Sequence, residues 1–81
     1  MSETEVSNLA RRVRDIRESK AMTQQQLAVA AGLSLSLVSA IEQGTRGDPK
    51  MSTVAALARA LGVDVAELFR GPTPAKARKG K

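Results

Sequence analysis

From Thr23 to Gly44 the chain reads TQQQLAVAAGLSLSLVSAIEQG, and this run admits few conformations. Thr23 is a strong N-cap, and Gln26 three residues later completes a Thr-x-x-Gln capping box, so a helix starts here. Met22, just before the cap, is placed to pack on Leu27 as a hydrophobic staple. The good helix formers of Gln24–Ala28 carry the helix on to Gly32, which supplies the left-handed backbone of a helix stop. Ser34 then caps a second helix, with Leu33 and Val38 as its staple, and Gly44 ends it. Leu27, Ala31, Leu33, Val38 and Ile41 fall on faces turned toward one core. Ala28 is small enough for the second helix to approach closely. The spacing therefore predicts helix, tight turn, helix.

The rest of the chain is organised to cover that unit. Val6, Leu9, Val13 and Ile16 recur at intervals of three and four, predicting an amphipathic helix from Val6 to Lys20. Residues 1–5 are polar and expected to be a flexible terminus. After Gly44, the turn-rich segment Thr45–Lys50 leads to Ser52, the expected cap of a fourth helix carrying Val54, Leu57, Ala58 and Leu61 and stopped by Gly62. Asp64 is the expected cap of a fifth, with Glu67 at the box position and Val63 stapled to Leu68. It ends near Arg70, and Pro72 and Pro74 block continuation. The expected fold is thus all-α, a compact five-helix domain over residues 6–70. Residues 71–81 form a basic tail expected to be disordered.

Composition narrows the function classes. With 81 residues there is material for one small domain and a modest core. Cysteine and histidine are absent, which removes disulfides, thiolate metal sites and the usual nucleophile–base pairs. Serines and threonines sit where caps are needed, and the glycines are isolated stops rather than a phosphate loop. No catalytic residue, metal site or cofactor is expected. No apolar run approaches the roughly eighteen residues of a membrane span, so a soluble cytoplasmic protein is expected. The formal charge of +5 is unevenly spread. Residues 1–70 hold nine Lys/Arg and eight Asp/Glu, whereas Lys76, Arg78, Lys79 and Lys81 supply the other four positive charges. Such a tail adds sequence-independent affinity for a polyanion. The folded body is nearly neutral, so any case for nucleic acid rests on its motif.

That motif is similar to a known one. Thr23–Ala28, Ala31–Ser34 and Val38–Gly44 together resemble the helix-turn-helix of the Cro/phage-repressor (Xre-like) family of transcriptional regulators, and the likeness extends over about residues 9–69. The resemblance implies sequence-specific binding of double-stranded DNA, commonly by a homodimer on a palindromic operator. The helix spanning 34–43 would enter the major groove while its predecessor crosses the backbone. It places Leu35, Ser36, Ser39 and Ala40 at base edges, with Leu37 near the backbone, and Gln24, Arg46 and Lys50 at phosphates. Arg17 would pair with Glu42, tying the first helix to the third. Leu68 and Phe69 are the expected dimer contacts, although Phe69 fits a core role equally. The segment between Arg46 and Pro49 holds Gly47 and Asp48, one residue more than the family tends to show. Two leucines, two serines and an alanine on the reading helix are an unusual set. They leave open a second role, a module that binds a protein partner, as an antitoxin does.

Overall fold

The computed structural model describes residues 3–45 and 49–70, and contains five helices and no strand among them. They are α1 (Glu3–Ser19), α2 (Gln24–Ala31), α3 (Leu35–Gln43), α4 (Met51–Leu61) and the single turn α5 (Val65–Leu68). The all-α expectation holds. The basic tail and the segment 46–48, Arg46 included, lie outside the described residues.

One core serves all five helices. Leu9 and Val13 of α1, Leu27 of α2, Val38 of α3, Val54, Leu57 and Leu61 of α4 and Leu68 of α5 are fully buried in it. Helix α1 packs on α3, α4 and α5, and α2 packs on α3 and α4. Each large aliphatic side chain fully buried contributes on the order of 1.5–3 kcal/mol. The periodic apolar positions of the sequence are therefore the ones that hold the domain together.

Four chain reversals follow one hydrogen-bond pattern, in which the residue after the left-handed position bonds back to the carbonyl five residues earlier. Leu33 N–H reaches the Ala28 carbonyl at 2.9 Å, Thr45 reaches Ala40 at 3.1 Å, Val63 reaches Ala58 at 2.9 Å and Met22 reaches Arg17 at 3.1 Å. Glycine holds the left-handed position in three of them (φ 71°, 73° and 74°), but Ala21 holds it after α1 at φ 56°. A side chain there clashes with the backbone at a cost of roughly 1–2 kcal/mol. Alanine does not signal a reversal, so this turn is not legible in the sequence.

Three helix boundaries differ from expectation. Helix α1 starts at Glu3 rather than Val6, so residues 3–5 belong to the helix. Glu5 in the first turn suits the positive end of its dipole. Helix α4 starts at Met51 with Lys50 as cap residue and no side-chain cap bond, so Ser52 lies within the first turn. Pro49 and Val54 are buried on either side of that start. The Lys50 carbonyl takes the Thr53 and Val54 amides at 2.9 and 3.0 Å. Helix α5 ends at Leu68, and Asp64 makes no side-chain cap bond. The Glu67 carboxylate, expected in a capping box, is instead engaged by Arg12 and Arg70 at 3.2 and 3.1 Å.

Candidate nucleic-acid interface

Helices α2 and α3 meet at 116°, within the range usual for helix-turn-helix pairs of about 90–120°. Local chemistry sets that angle. The Thr23 hydroxyl accepts the Gln26 amide at 3.0 Å and the Gln26 side chain accepts the Thr23 amide at 2.8 Å, closing the capping box. Gly32 then reverses the chain, and the Ser34 hydroxyl accepts the Leu37 amide at 3.1 Å to open α3. Leu27, Ala28 and Ala31 of α2 and Val38 and Ile41 of α3 are buried between the helices and the rest of the core.

A charged cluster locks the far end of α3. Glu42 is 3 % exposed, the one buried charged residue among those described. Arg17 reaches across from α1 and donates to both its carboxylate oxygens, Nε to Oε2 at 2.7 Å and Nη2 to Oε1 at 3.1 Å. This fork-on-fork geometry is the strongest form of ion pair. The third guanidinium nitrogen, Nη1, donates to the Met22 carbonyl at 2.7 Å. Since the Met22 amide bonds to the Arg17 carbonyl, the two residues are clasped in both directions. The hydrogen bond to Glu42 raises the pKa of Arg17 above its ordinary range, against the opposing pull of burial. A raised pKa means that stabilisation is fully present below the ordinary arginine range and lost only above it. Arg17 therefore holds its proton more firmly than a free arginine does.

Gln24 belongs to this cluster as well. Its Nε2 donates to Glu42 Oε1 at 3.0 Å. That bond uses one of the two Nε2 hydrogens of the half-buried side chain, so it is compatible with the phosphate contact expected of Gln24. Gln24 thus bridges the start of α2 to the end of α3. No buried side-chain polar atom among the described residues lacks a partner.

The outward face of α3 is chemically spare. Leu35 is 44 % exposed, Ser36 is exposed, and Ser39 and Ala40 are half-buried, so all four expected base-reading residues reach the surface of one helix. Leu37 is half-buried and packs against the core. Gln43, on the exposed side of the last turn, donates to the Ser39 hydroxyl at 3.1 Å. Gln43 is not among the expected site residues, and its four-residue spacing from Ser39 is the sequence signal that points to it. Lys50 is exposed at the start of α4. No group of three or more metal-ligating side chains occurs among the described residues.

Of the two expected dimer contacts, one is displaced. Leu68 is 0 % exposed and fills the protomer's own core, because α5 lies flat on α1 and α4. It is not a surface residue. Phe69, next along the chain, is half-buried and packs on the same core.

The family model described as "Helix-turn-helix domain" matches residues 8–69. Among curated proteins, the uncharacterized HTH-type transcriptional regulator RghRB of Bacillus subtilis is 38 % identical over 64 residues, covering 79 % of this chain and 46 % of the relative. The immunity repressor protein of Bacillus phage phi105 is 40 % identical over 60 residues, covering 74 % of this chain and 41 % of the repressor. The chain thus spans less than half the length of these relatives. Among solved structures, the restriction-modification controller protein C.AhdI from Aeromonas hydrophila superposes with a TM-score of 0.75 at 33 % identity, over 79 % of this chain and 96 % of that one. The hypothetical transcription factor NHTF from Neisseria superposes with a TM-score of 0.82 at 31 % identity, over 95 % and 88 % of the two chains.

Proposed function

Because this chain belongs to the helix-turn-helix family of the Cro/phage-repressor (Xre-like) type, we propose that it is a sequence-specific DNA-binding transcriptional regulator. It binds a palindromic operator as a homodimer, with α3 in the major groove. The observation that carries this reading is the division of α3 itself. Its inner residues Val38, Ile41 and Glu42 are buried, whereas of its outer ones Leu35 and Ser36 are exposed and Ser39 and Ala40 half-buried. The domain therefore presents a rigid helix whose outward side chains are not needed for folding. Helix α2 crosses the backbone. Lys50 and Arg46 contact phosphates and carry no sequence information themselves. Leu35 and Ala40 meet thymine methyls, and Ser36 and Ser39 bond to base edges.

One recognition helix reads too few base pairs for useful selectivity. Two protomers whose helices lie about 34–36 Å apart read two half-sites one turn apart and solve that problem. Phe69 is the contact this requires. The basic tail adds affinity on any sequence through counterion release. The relatives named as regulator and repressor, and the neighbour named as a controller protein, support the same reading.

A protein-binding role is the second reading, favoured by the exposure of Leu35 where a bidentate hydrogen-bonding side chain would discriminate better. Selection from random duplexes, followed by gel shifts across salt concentrations, separates the two. The DNA reading predicts enrichment of a two-fold symmetric site bound by two chains. Recovery of no enriched site, or saturation of the best site by a single chain, would count against it.

A further inference from the structure

Serine is the least committed of the side chains that α3 turns outward. Its hydroxyl has one hydrogen to donate and two lone pairs that accept, and it rotates to suit what it meets. A free serine therefore accepts from the amino group of cytosine as readily as it donates to an oxygen of guanine or thymine. Ser36 is of that kind, exposed and with no side-chain partner among the described residues.

Ser39, on the same helix, is not free. The amide nitrogen Nε2 of Gln43 donates to its hydroxyl oxygen at 3.1 Å. The two residues are four apart, so one turn of α3 sets them side by side. The bond fills one of the two lone pairs of Ser39. It also decides where the hydroxyl hydrogen goes, because that hydrogen has no place along a line already taken by an incoming N–H. Among the described residues the Ser39 hydroxyl donates to no acceptor. Its hydrogen is spare, and a hydroxyl that accepts one hydrogen bond is polarised to donate the next.

We infer that Gln43 is a positioning residue for base recognition: by donating to Ser39 it fixes that hydroxyl as a hydrogen-bond donor toward DNA. The base facing Ser39 is then one that accepts, through O6 or N7 of guanine or O4 of thymine. Cytosine is rejected there, because its major-groove edge offers only the N4 donor. The inference rests on the DNA-reading role of α3 proposed above, and adds to it the polarity of one contact.

Gln43→Glu tests it, since an ionised carboxylate has no hydrogen to give. The Ser39 hydroxyl then turns round, donates to the carboxylate and presents a lone pair to the base. The full-length wild type, Gln43→Glu, Gln43→Ala and Ser39→Ala are compared by gel shift on the symmetric duplex recovered by selection, each half-site base pair being replaced in turn by the other three. Ratios of affinity between duplexes are read, so a loss common to all sequences, such as repulsion between the added carboxylate and the phosphates, cancels. Ser39→Ala locates the contacted base as the position where discrimination is lost. There wild type should favour guanine or thymine over cytosine by roughly fivefold, the ratio that one neutral hydrogen bond supplies. Gln43→Glu should reverse that order. Gln43→Ala, which leaves the hydroxyl free to rotate, should flatten it. The wild-type order persisting in both Gln43 variants would overturn the inference, and so would a wild type that favours cytosine, since the amide would then meet Ser39 with its oxygen. Discrimination untouched by Ser39→Ala at every base pair would remove Ser39 as a reader, and the inference with it, while the DNA reading stands. Wild type indifferent to every replacement would remove the DNA reading itself.

Discussion

The two faces of α3 are built by different rules. The inward face is over-determined. Val38 and Ile41 are buried in the core, and Glu42 is held by three side-chain bonds, two from Arg17 and one from Gln24, with Arg17 itself tied to Met22. The outward face, from Leu35 through Ser36, Ser39 and Ala40, carries one side-chain pair, Ser39 with Gln43. Folding constrains the first face and leaves the second free. The orientation of the helix is therefore a property of the fold, while what the helix reads is not. A change of reading preference need not disturb the domain, and a change at Glu42 disturbs both.

The largest effect that would test this contrast is at Glu42. Removing it leaves the Arg17 guanidinium, 12 % exposed, with the longer 3.7 Å pair to the exposed Glu18 in place of its bidentate partner. Glu42→Ala should destabilise the domain by about 3 kcal/mol, the lower end for breaking one side of a buried pair, and lower the melting temperature by on the order of 15 °C. Ser36→Ala, on the other face, should stay within about 0.5 kcal/mol of wild type. Melting curves in which the two variants shift alike would erase the distinction between the faces.

A smaller effect of opposite sign sharpens the same contrast, because the locked face also depends on the reversal after α1 that carries Met22 to Arg17. Ala21 sits there at φ 56°. Ala21→Gly should relieve roughly 1–2 kcal/mol of left-handed strain while adding about 0.5–1 kcal/mol of unfolded-state entropy. The net gain is about 0.5–1 kcal/mol, or about 4 °C in melting temperature. Thermal unfolding checks it, and a loss of stability would mean that the strain is not there.

These cases also show which parts of the molecule were legible beforehand. Caps and stops at Thr23, Gly32, Ser34, Gly44 and Gly62 act over three to five residues, so spacing alone exposes them. The Arg17–Glu42 pair spans 25 residues and came from family resemblance, not from periodicity. The grip of Arg12 on Glu67 spans 55 residues, and nothing local to either residue announces it. It also explains why the capping box expected at Asp64 is absent, since a tertiary partner claims the carboxylate first. The bond from Gln24 to Glu42 is equally unannounced, its acceptor lying 18 residues further on. Short-range chemistry reads directly from the chain, whereas burial decides which long-range partners meet.

The most direct measurement of the central claim, that the unconstrained face of α3 lies against base edges, uses Leu35. Its methyl groups reward a thymine methyl and nothing else in the major groove. With the preferred half-site in hand, each thymine is replaced in turn by uracil, which removes only that methyl, and the affinities of wild type and Leu35→Ala are compared. At one position uracil should weaken wild type by less than the roughly 1–3 kcal/mol of a bidentate base contact and leave the variant unaffected, with both proteins melting alike. Equal loss in the two proteins at every thymine, or loss in neither, would contradict the claim and turn that face toward a protein partner instead.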